Sequence, residues 1–275
     1  MSRRLARLHL QVGHEAFMNS ASNDEFTIGY YMSQELGMYD LDLGIRYDQI
    51  NTTGSISHHE DEGEDHSDEE HEDEEMEYYD LDNNNISFAF SLGRELSDTI
   101  NVSFGVAAVE RAPSVVELFM NGPHLATGRL EMGNANLNSE KSNNLDFTVN
   151  YENNNFYGIA TFFKNNVDNY IYLQDESDDE HDEHDEEEEG HDDHGGLILA
   201  NYLQQDADLD GYEIEFGKVI NLTEGDLTLS FGRDLVNGKF SDGTNIPRIN
   251  PARNIYSIKY NQNNLMVMLN LKNVE

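Results

Sequence analysis

Histidine and carboxylate side chains are concentrated in two short segments of this sequence. Residues 58–77 contain 13 acidic residues and four histidines, residues 175–194 contain 14 acidic residues and four histidines, and neither segment contains Lys or Arg. The eight histidines are His58, His59, His66 and His71 in the first segment and His181, His184, His191 and His194 in the second. Neutral imidazole is a ligand for Zn²⁺, Ni²⁺ and Cu²⁺, and neighbouring carboxylates add oxygen ligands and attract cations. The sequence therefore predicts two segments that capture a transition metal.

The spacing of these histidines leaves the type of site open. His181 and His184 form a His-x-x-His pair, and so do His191 and His194. On a helix both imidazoles of a pair would lie on one face, whereas in a loop the pair gives only a flexible chelate. The alternative is an acidic loop that is merely solvated or binds Ca²⁺ diffusely. We favour transition-metal capture because eight of the 11 histidines fall in these two segments.

Composition excludes several classes of function. The chain has no Cys and no His-Glu-x-x-His motif, so neither a thiolate catalyst nor a zincin protease is supported. Its 16 basic residues against 55 acidic residues give a net charge of −39. Nucleic-acid binding needs clustered Lys and Arg, so that function is not expected either. We expect no enzyme activity and no organic cofactor.

The rest of the chain must position the two acidic segments. Outside them the other 235 residues carry 28 acidic and 16 basic residues, a net charge of −12 that is ordinary for a solvated protein. Like charges at the density of the segments cannot bury enough apolar surface to fold, so both are predicted to be mobile insertions. The sequence contains no run of 18 apolar residues, so no membrane-spanning helix is predicted. Arg7 and His9 interrupt the apolar region that a signal peptide would need.

Outside the acidic segments, apolar residues recur at every second position, which is the spacing of β-strands. Eleven strands and no amphipathic helix are predicted, with strands near 4–13, 26–36, 39–50, 80–93, 98–109, 142–152, 156–173, 198–217, 225–235, 252–262 and 265–273. The connections alternate between short and long, so a meander places every short turn at one end and both acidic segments at the other. This pattern is typical of an antiparallel, up-and-down transmembrane β-barrel. A soluble β-sheet protein with aromatic cross-strand pairs is the alternative.

Motifs in the third long connection resemble those of a known family. They are ERAPSVVELFM at 110–120, GPHLAT at 122–127 and EMGNANLNSEKS at 131–142. Shorter supporting matches lie at 44–48, 167–171, 207–213 and 246–253. Together, and in this order, they resemble the β-barrel of TonB-dependent outer-membrane receptors over residues 8–275.

The resemblance implies an incomplete member of this family. Residues 1–275 would form about half of a barrel of roughly 22 strands with long extracellular loops, two of them the acidic segments at 58–77 and 175–194. The plug domain, TonB box and signal peptide of the family are not recognised in this sequence. The implied location is the outer membrane of a Gram-negative bacterium, where the partners would be outer-membrane lipid and, through a plug domain, the TonB complex.

Within this family, the His-rich and acid-rich loops resemble those of the zinc-uptake receptors of the ZnuD type. That likeness implies Zn²⁺ as the bound and transported ion, with Ca²⁺, Ni²⁺ and Cu²⁺ as alternatives. The resemblance also places His124 where its loop folds towards the barrel lumen, which implies a lumen-side metal site formed by His124 with Glu117 or Glu131. A His124 side chain that only forms a hydrogen bond within its own loop is equally compatible with the sequence.

Three other functions remain open at this point, one of them a surface adhesin, for which the sequence offers no binding motif. A receptor for a siderophore, haem or another metal complex would use its acidic loops only to bind Ca²⁺ structurally. A soluble, β-rich, metal-buffering protein would fold as a water-soluble monomer. Metal selectivity distinguishes the metal-complex receptor from zinc uptake, and dependence on detergent distinguishes the soluble protein.

One further run resembles a metal site and is interpreted as a strand. Asp206–Gly211 has the spacing of the start of an EF-hand loop, but the twelfth position is Gly217, where a bidentate Glu is required. The alternating residues that follow it predict that the run continues a β-strand.

Overall fold

The protein forms one large β-meander, described by a computed structural model for residues 2–9, 18–58, 75–176 and 196–275. The strands are β1 (Ser2–His9), β2 (Ser22–Leu36), β3 (Tyr39–His58), β4 (Glu75–Ser97), β5 (Ile100–Arg111), β6 (Asn121–His124), β7 (Arg129–Met132), β8 (Glu140–Glu152), β9 (Phe156–Asp175), β10 (Ile198–Leu222), β11 (Gly225–Phe240), β12 (Arg253–Gln262) and β13 (Leu265–Val274), and the helix is α1 (Val115–Phe119). Eleven strands pair in the order β1-β2-β3-β4-β5-β8-β9-β10-β11-β12-β13. The remaining two, β6 and β7, form a hairpin within one long connection.

Connections between successive strands of the meander alternate in length, as the sequence predicts. Tight turns of two or three residues lie at 37–38, 98–99, 153–155, 223–224 and 263–264. Long connections lie at 10–21, 59–74, 112–139, 176–197 and 241–252. Every tight turn therefore lies at one end of the sheet, which we call the turn end. Every long connection lies at the other, which we call the loop end.

Several strands, among them β4 and β10, extend further than the sequence suggests. Residues 94–97 were expected to form a turn, but they belong to β4, and the turn is Asp98–Thr99. A register shift between Glu95 and Ser97 lets the strand continue through this stretch. The longest strand, β10, has 25 residues, whereas about nine to eleven residues suffice to cross a bilayer. The longest strands therefore have more residues than a bilayer crossing needs.

The two faces of the sheet have opposite polarity, and the apolar one is exposed. Phe104, Phe147 and Phe162 are opposite one another on three successive paired strands and are 43%, 43% and 48% exposed. On the other face of the same strands, Thr148 and Thr161 share a hydrogen bond of 3.0 Å between their hydroxyl oxygens. We call these the apolar face and the polar face. Apolar side chains that point away from the protein are expected of a transmembrane β-barrel.

The sheet is open along two edges. β1 and β13 end the strand order, and no pairing joins them within the described residues. All ten residues of β13 are exposed. The prediction of an all-β, antiparallel, up-and-down barrel that is incomplete is therefore confirmed. The predicted strand at Asp206–Gly211 is also confirmed, because both this run and Gly217 lie within β10.

A small hydrophobic core lies at the loop end, built largely by the connection 112–139. Its buried residues are Met18, Ala21, Val115, Leu118, Phe119, Ala135, Leu137 and Ile171. Phe119 is completely buried, and its ring lies so close to Gly54 of β3 that a side chain at that position would collide with it. We call this cluster the loop-end core. It fixes the connection 112–139 against the meander.

The sequence did not predict α1, a helix of five residues. Ser114 caps its first turn by accepting a hydrogen bond from the Glu117 backbone N–H, and the Glu117 carboxylate accepts one from the Ser114 N–H. This capping box satisfies two N–H groups that a helix start leaves without partners.

No helix in the described ranges is long and apolar enough to cross a membrane.

Candidate metal site at the loop end

The β6–β7 hairpin carries two of the predicted site residues. β6 pairs with β7 in antiparallel register, and β7 pairs in parallel with the first residues of β10, Ile198–Asn201. Glu131 of β7 is opposite Gly122 on one side and Ala200 on the other, and the residue is only 4% exposed. A carboxylate is therefore held inside the loop end, where desolvation is costly unless it has partners.

Glu131 has two such partners from the same hairpin. One of its carboxylate oxygens, Oε1, lies 2.9 Å from Nδ1 of His124 and accepts a 3.0 Å hydrogen bond from the Thr127 hydroxyl. Thr127 also donates from its backbone N–H to the His124 carbonyl, at 2.9 Å. The turn thus orders the imidazole and the carboxylate together. When Nδ1 is protonated and donates a hydrogen bond to Glu131, the other ring nitrogen, Nε2, has the lone pair through which a neutral imidazole binds a metal.

Glu117, the third predicted residue, serves another contact. Both of its carboxylate oxygens accept hydrogen bonds from Arg111, at 2.8 and 3.1 Å. Arg111 also donates to Glu140, at 2.5 Å. The charge of Glu117 is therefore balanced by Arg111 and engaged in capping α1. Across the parts of the chain that the structure describes, no group of three or more His, Asp or Glu residues is arranged to hold a metal ion.

Most of the predicted histidine ligands lie outside the described residues. These are His59, His66, His71, His181, His184, His191 and His194. His58 is the last residue of β3 and is opposite Glu75 of β4. The acidic segment 58–77 therefore begins and ends in paired strands, and Asp175 of the second segment ends β9. Both segments leave the sheet at the loop end.

The base of the second acidic segment is held by two arginines. Arg129 of β7 donates to both carboxylate oxygens of Asp175, each at 2.8 Å, and Arg248 from the connection 241–252 donates to one of them at 2.6 Å. These hydrogen bonds from its guanidinium to Asp175 raise the pKa of Arg129. The Ile198 N–H also donates to the Gly128 carbonyl, at 3.1 Å. The hairpin is thereby attached to Asp175, where this segment begins, and to Ile198, four residues after it ends.

The base of the first acidic segment touches the same hairpin. Asn121 of β6 donates from its side chain to the Ser57 carbonyl at 2.7 Å, and Asn19 donates to the Ser57 hydroxyl at 3.0 Å. Ser57 immediately precedes His58.

Sequence reasoning missed the roles of Asn121, Thr127 and Arg129. Thr127 stands within the quoted motif GPHLAT, whereas nothing local to Asn121 or Arg129 indicates their distant partners.

Comparison with known proteins agrees with this architecture. Residues 17–271 match the family model described as "TonB dependent receptor-like, beta-barrel". This chain belongs to that family. Its inverted sheet polarity and the segregation of its long connections at one end are the features expected of such a barrel.

Solved structures with a similar fold are much longer proteins. A copper transporter, OprC, is 17% identical, with a TM-score of 0.62 over 88% of this chain and 33% of its own. The FrpB iron transporter from Neisseria meningitidis is 12% identical, with a TM-score of 0.57 over 94% of this chain and 34% of its own. The Serratia marcescens hemophore receptor HasR, solved with HasA and heme, is 12% identical, with a TM-score of 0.62 over 95% of this chain and 45% of its own. The chain thus spans between a third and a half of their lengths.

Proposed function

We propose that this chain is part of an outer-membrane, TonB-dependent transporter that takes up a divalent metal, with Zn²⁺ as the substrate. The acidic His-rich segments raise the local concentration of the ion, and the His124–Glu131 pair accepts it nearer the polar face. Energy for passage reaches the barrel from the TonB complex through a plug domain. The protein works by capture and transport, without covalent chemistry.

The polarity of the sheet supports a place in a membrane. Rows of aromatic and aliphatic side chains on the apolar face would aggregate in water, whereas in the outer membrane they contact lipid. The long connections gather at the end that faces outwards in such barrels, with short turns on the periplasmic side. The acidic segments therefore meet the external medium first.

The observation that carries the metal proposal is the concentration of histidine at this one end. Both His-rich segments leave the sheet there, and the buried Glu131 orients the His124 ring there as well. Carboxylates that accept a hydrogen bond from a ligating histidine fix the orientation of the ring and raise its basicity. Nitrogen ligands favour Zn²⁺, Ni²⁺ and Cu²⁺ over Ca²⁺ and Mg²⁺, which prefer oxygen.

Calorimetric titration of the full chain in detergent micelles tests this proposal. We expect Zn²⁺ to bind far more tightly than Ca²⁺ or Mg²⁺, and to lose affinity near pH 5 because protonated imidazole cannot ligate a metal. A variant in which the eight segment histidines become Asn should lose most of the bound Zn²⁺. The matched control, His9→Asn with His14→Asn, should lose little.

A lack of selectivity among the metal ions would contradict the zinc proposal. Equal, weak and pH-insensitive binding of Zn²⁺, Ca²⁺ and Mg²⁺, unchanged in the eight-histidine variant, would mean that the segments act only as a carboxylate cloud. The zinc proposal would then be abandoned in favour of a receptor for a siderophore, haem or another metal complex. Titration with Ni²⁺ and Cu²⁺ under the same conditions ranks the transition metals by their affinity for the chain.

A further inference from the structure

The turn end of the sheet carries a cleft that the proposed metal uptake does not use. It has a volume of about 1010 Å³ and lies between two tight turns and β10. The Glu152 N–H donates to the Thr99 carbonyl at 2.9 Å, and the Val219 N–H donates to the Asn155 carbonyl at 2.7 Å, so the turns and β10 are tied together. We call this the turn-end cleft, and its lining includes Asp98, Thr99, Glu152, Phe156 and Lys218.

One wall of the turn-end cleft belongs to the apolar face. Phe156 of β9 is six residues from Phe162, so the alternation of a strand places both rings on the same face. Lys218 of β10 is opposite Phe156 in the register and shares that face. Phe156 directly follows the turn 153–155. The cleft therefore lies at the margin of the apolar face, where a membrane-spanning sheet meets lipid headgroups.

An aromatic ring holds the Lys218 side chain at this margin. The ammonium lies 5.1 Å from the centroid of the Phe156 ring, which is a cation–π contact. No carboxylate within the described ranges forms an ion pair with Lys218. A lysine whose stem covers apolar surface while its ammonium reaches polar surroundings suits a membrane interface. The Lys218 ammonium can therefore donate hydrogen bonds to a phosphate.

The turn-end cleft also contains negative charge. Asp98 and Glu152 are exposed, and neither carboxylate forms an ion pair with any residue that the structure describes. Glu152 is opposite Tyr157, and Tyr157 is opposite Gly217, the residue before Lys218. Two strand spacings of about 4.8 Å place the backbones of Glu152 and Lys218 roughly 10 Å apart. One cation and two anions therefore line a space of the size of one headgroup.

We propose that the turn-end cleft binds the headgroup of a zwitterionic aminophospholipid, with its phosphate on Lys218 and its primary ammonium on Glu152 and Asp98. The acyl chains lie along the apolar face beside Phe156. This inference rests on the membrane location in the proposed function and is independent of the metal.

Charge complementarity selects this class of lipid. An anionic headgroup such as that of phosphatidylglycerol satisfies Lys218 but is repelled by the two carboxylates. The quaternary ammonium of phosphatidylcholine has no N–H to donate to them. The phosphate and the primary ammonium of phosphatidylethanolamine match both kinds of charge, and each ammonium hydrogen can be donated to a carboxylate oxygen.

Native mass spectrometry of the full chain, released from detergent micelles with one phospholipid added at a time, measures this selectivity. We expect phosphatidylethanolamine to bind more tightly than phosphatidylcholine or phosphatidylglycerol with the same acyl chains. The difference should be about threefold or more, the scale of one exposed ion pair. Equal binding of the three lipids would overturn the inference.

A lysine variant tests the phosphate end of the headgroup. Lys218→Gln should weaken the binding of all three phospholipids by about threefold, because each carries a phosphate. Lys164→Gln is the matched control. Lys164 is two residues from Phe162 on the same face, towards the loop end, and it too forms no ion pair within the described part of the chain. Equal weakening by the two variants would contradict a site at the turn end.

A carboxylate variant tests the ammonium end. Asp98→Asn with Glu152→Gln should abolish the preference for phosphatidylethanolamine over phosphatidylcholine and should strengthen the binding of phosphatidylglycerol. Glu35→Gln with Asp226→Asn removes the same charge from exposed residues beside two other tight turns and should keep the preference.

The outcomes keep this inference separate from the proposed function. Retention of the preference in the Asp98 and Glu152 variant, or its loss in the control, would overturn the inference. Failure of the unmodified chain to bind any of the three phospholipids would instead overturn the membrane location on which the proposed function depends.

Discussion

The sheet and the loop-end core place their apolar side chains in opposite ways: the sheet exposes them, and the core buries them. In the sheet, Phe104, Phe147 and Phe162 are exposed, while the polar face bears hydrogen-bonded hydroxyls. In the loop-end core, Phe119 and Leu118 are 0% and 1% exposed, and charged partners such as Arg111 and Glu117 lie outside. The first arrangement suits a lipid solvent and the second suits water. Side-chain polarity thus divides the chain into a region suited to contact with lipid and a region suited to contact with water.

The same comparison explains why a candidate site can exist at the loop end. A buried carboxylate needs a rigid frame and hydrogen-bond donors at short range. The loop-end core supplies the frame by fixing α1, and α1 fixes the hairpin that carries Glu131. Without the buried loop-end core, His124 and Glu131 would lie on a loop with no packed support.

The largest effect should come from removing the ring at the centre of the loop-end core. Phe119→Ala is expected to cost about 3–5 kcal/mol of unfolding free energy, because it removes a fully buried aromatic side chain and leaves a cavity. Urea unfolding in detergent micelles, followed by circular dichroism, measures it. Phe147→Ala, on the apolar face, should cost much less. Equal costs for the two variants would contradict the contrast between the regions.

A charge on the apolar face should come next. In lipid bilayers, Phe147→Arg is expected to cost about 2–4 kcal/mol when the residue lies near the midplane, because the guanidinium would face hydrocarbon. Thr148→Arg is the matched control, since Thr148 belongs to the polar face of the same strand. Reversible unfolding from lipid vesicles gives both values. A larger penalty for Thr148→Arg would reverse the assignment of the two faces.

A smaller effect is expected where β3 meets the loop-end core. Gly54→Ala places a methyl group against the Phe119 ring and should cost about 1–3 kcal/mol through overpacking. Gly44→Ala, in the same strand, meets only the Ala89 side chain at 3.9 Å and should be nearly neutral. Hydrogen exchange of the connection 112–139 would report the difference locally. Unchanged exchange in the Gly54→Ala variant would argue against the packing of α1 on β3.

The smallest effect concerns the helix cap. Ser114→Ala removes the side-chain acceptor for the Glu117 N–H and should cost about 1 kcal/mol. Thermal unfolding in detergent should show a modest decrease in the midpoint. Ser241→Ala, in the connection 241–252, is a suitable control and should leave the midpoint unchanged. A midpoint that falls equally in both variants would indicate that the cap contributes nothing specific.

Much of the meander was predictable because its determinants are local. Period-two alternation defines the strands around Phe104 and Phe147, and short turn sequences such as Asn263–Asn264 mark the reversals. Asn263 adopts a left-handed φ of 47°, a conformation that Asn tolerates better than most residues. Where the local signal is weak, as at Arg94–Ser97, the turn was misplaced by a few residues.

The loop end was only partly predictable because its contacts are distant in sequence. His124 and Glu131 were candidates, and the structure brings them together. A five-residue helix is too short for periodicity to reveal, although the spacing of Ser114 and Glu117 is that of a capping box. The ion pair of Arg129 with Asp175 joins residues 46 apart. No local pattern encodes such a pairing.

X-ray absorption at the zinc edge of the Zn²⁺-loaded full chain distinguishes ligation by histidine from ligation by carboxylates alone. We expect a first coordination shell that contains nitrogen at about 2.0–2.1 Å, with the outer-shell scattering of imidazole rings. That imidazole signal should largely disappear when the eight segment histidines become Asn. A shell of oxygen alone in the unmodified chain would contradict histidine-based metal capture at the loop end.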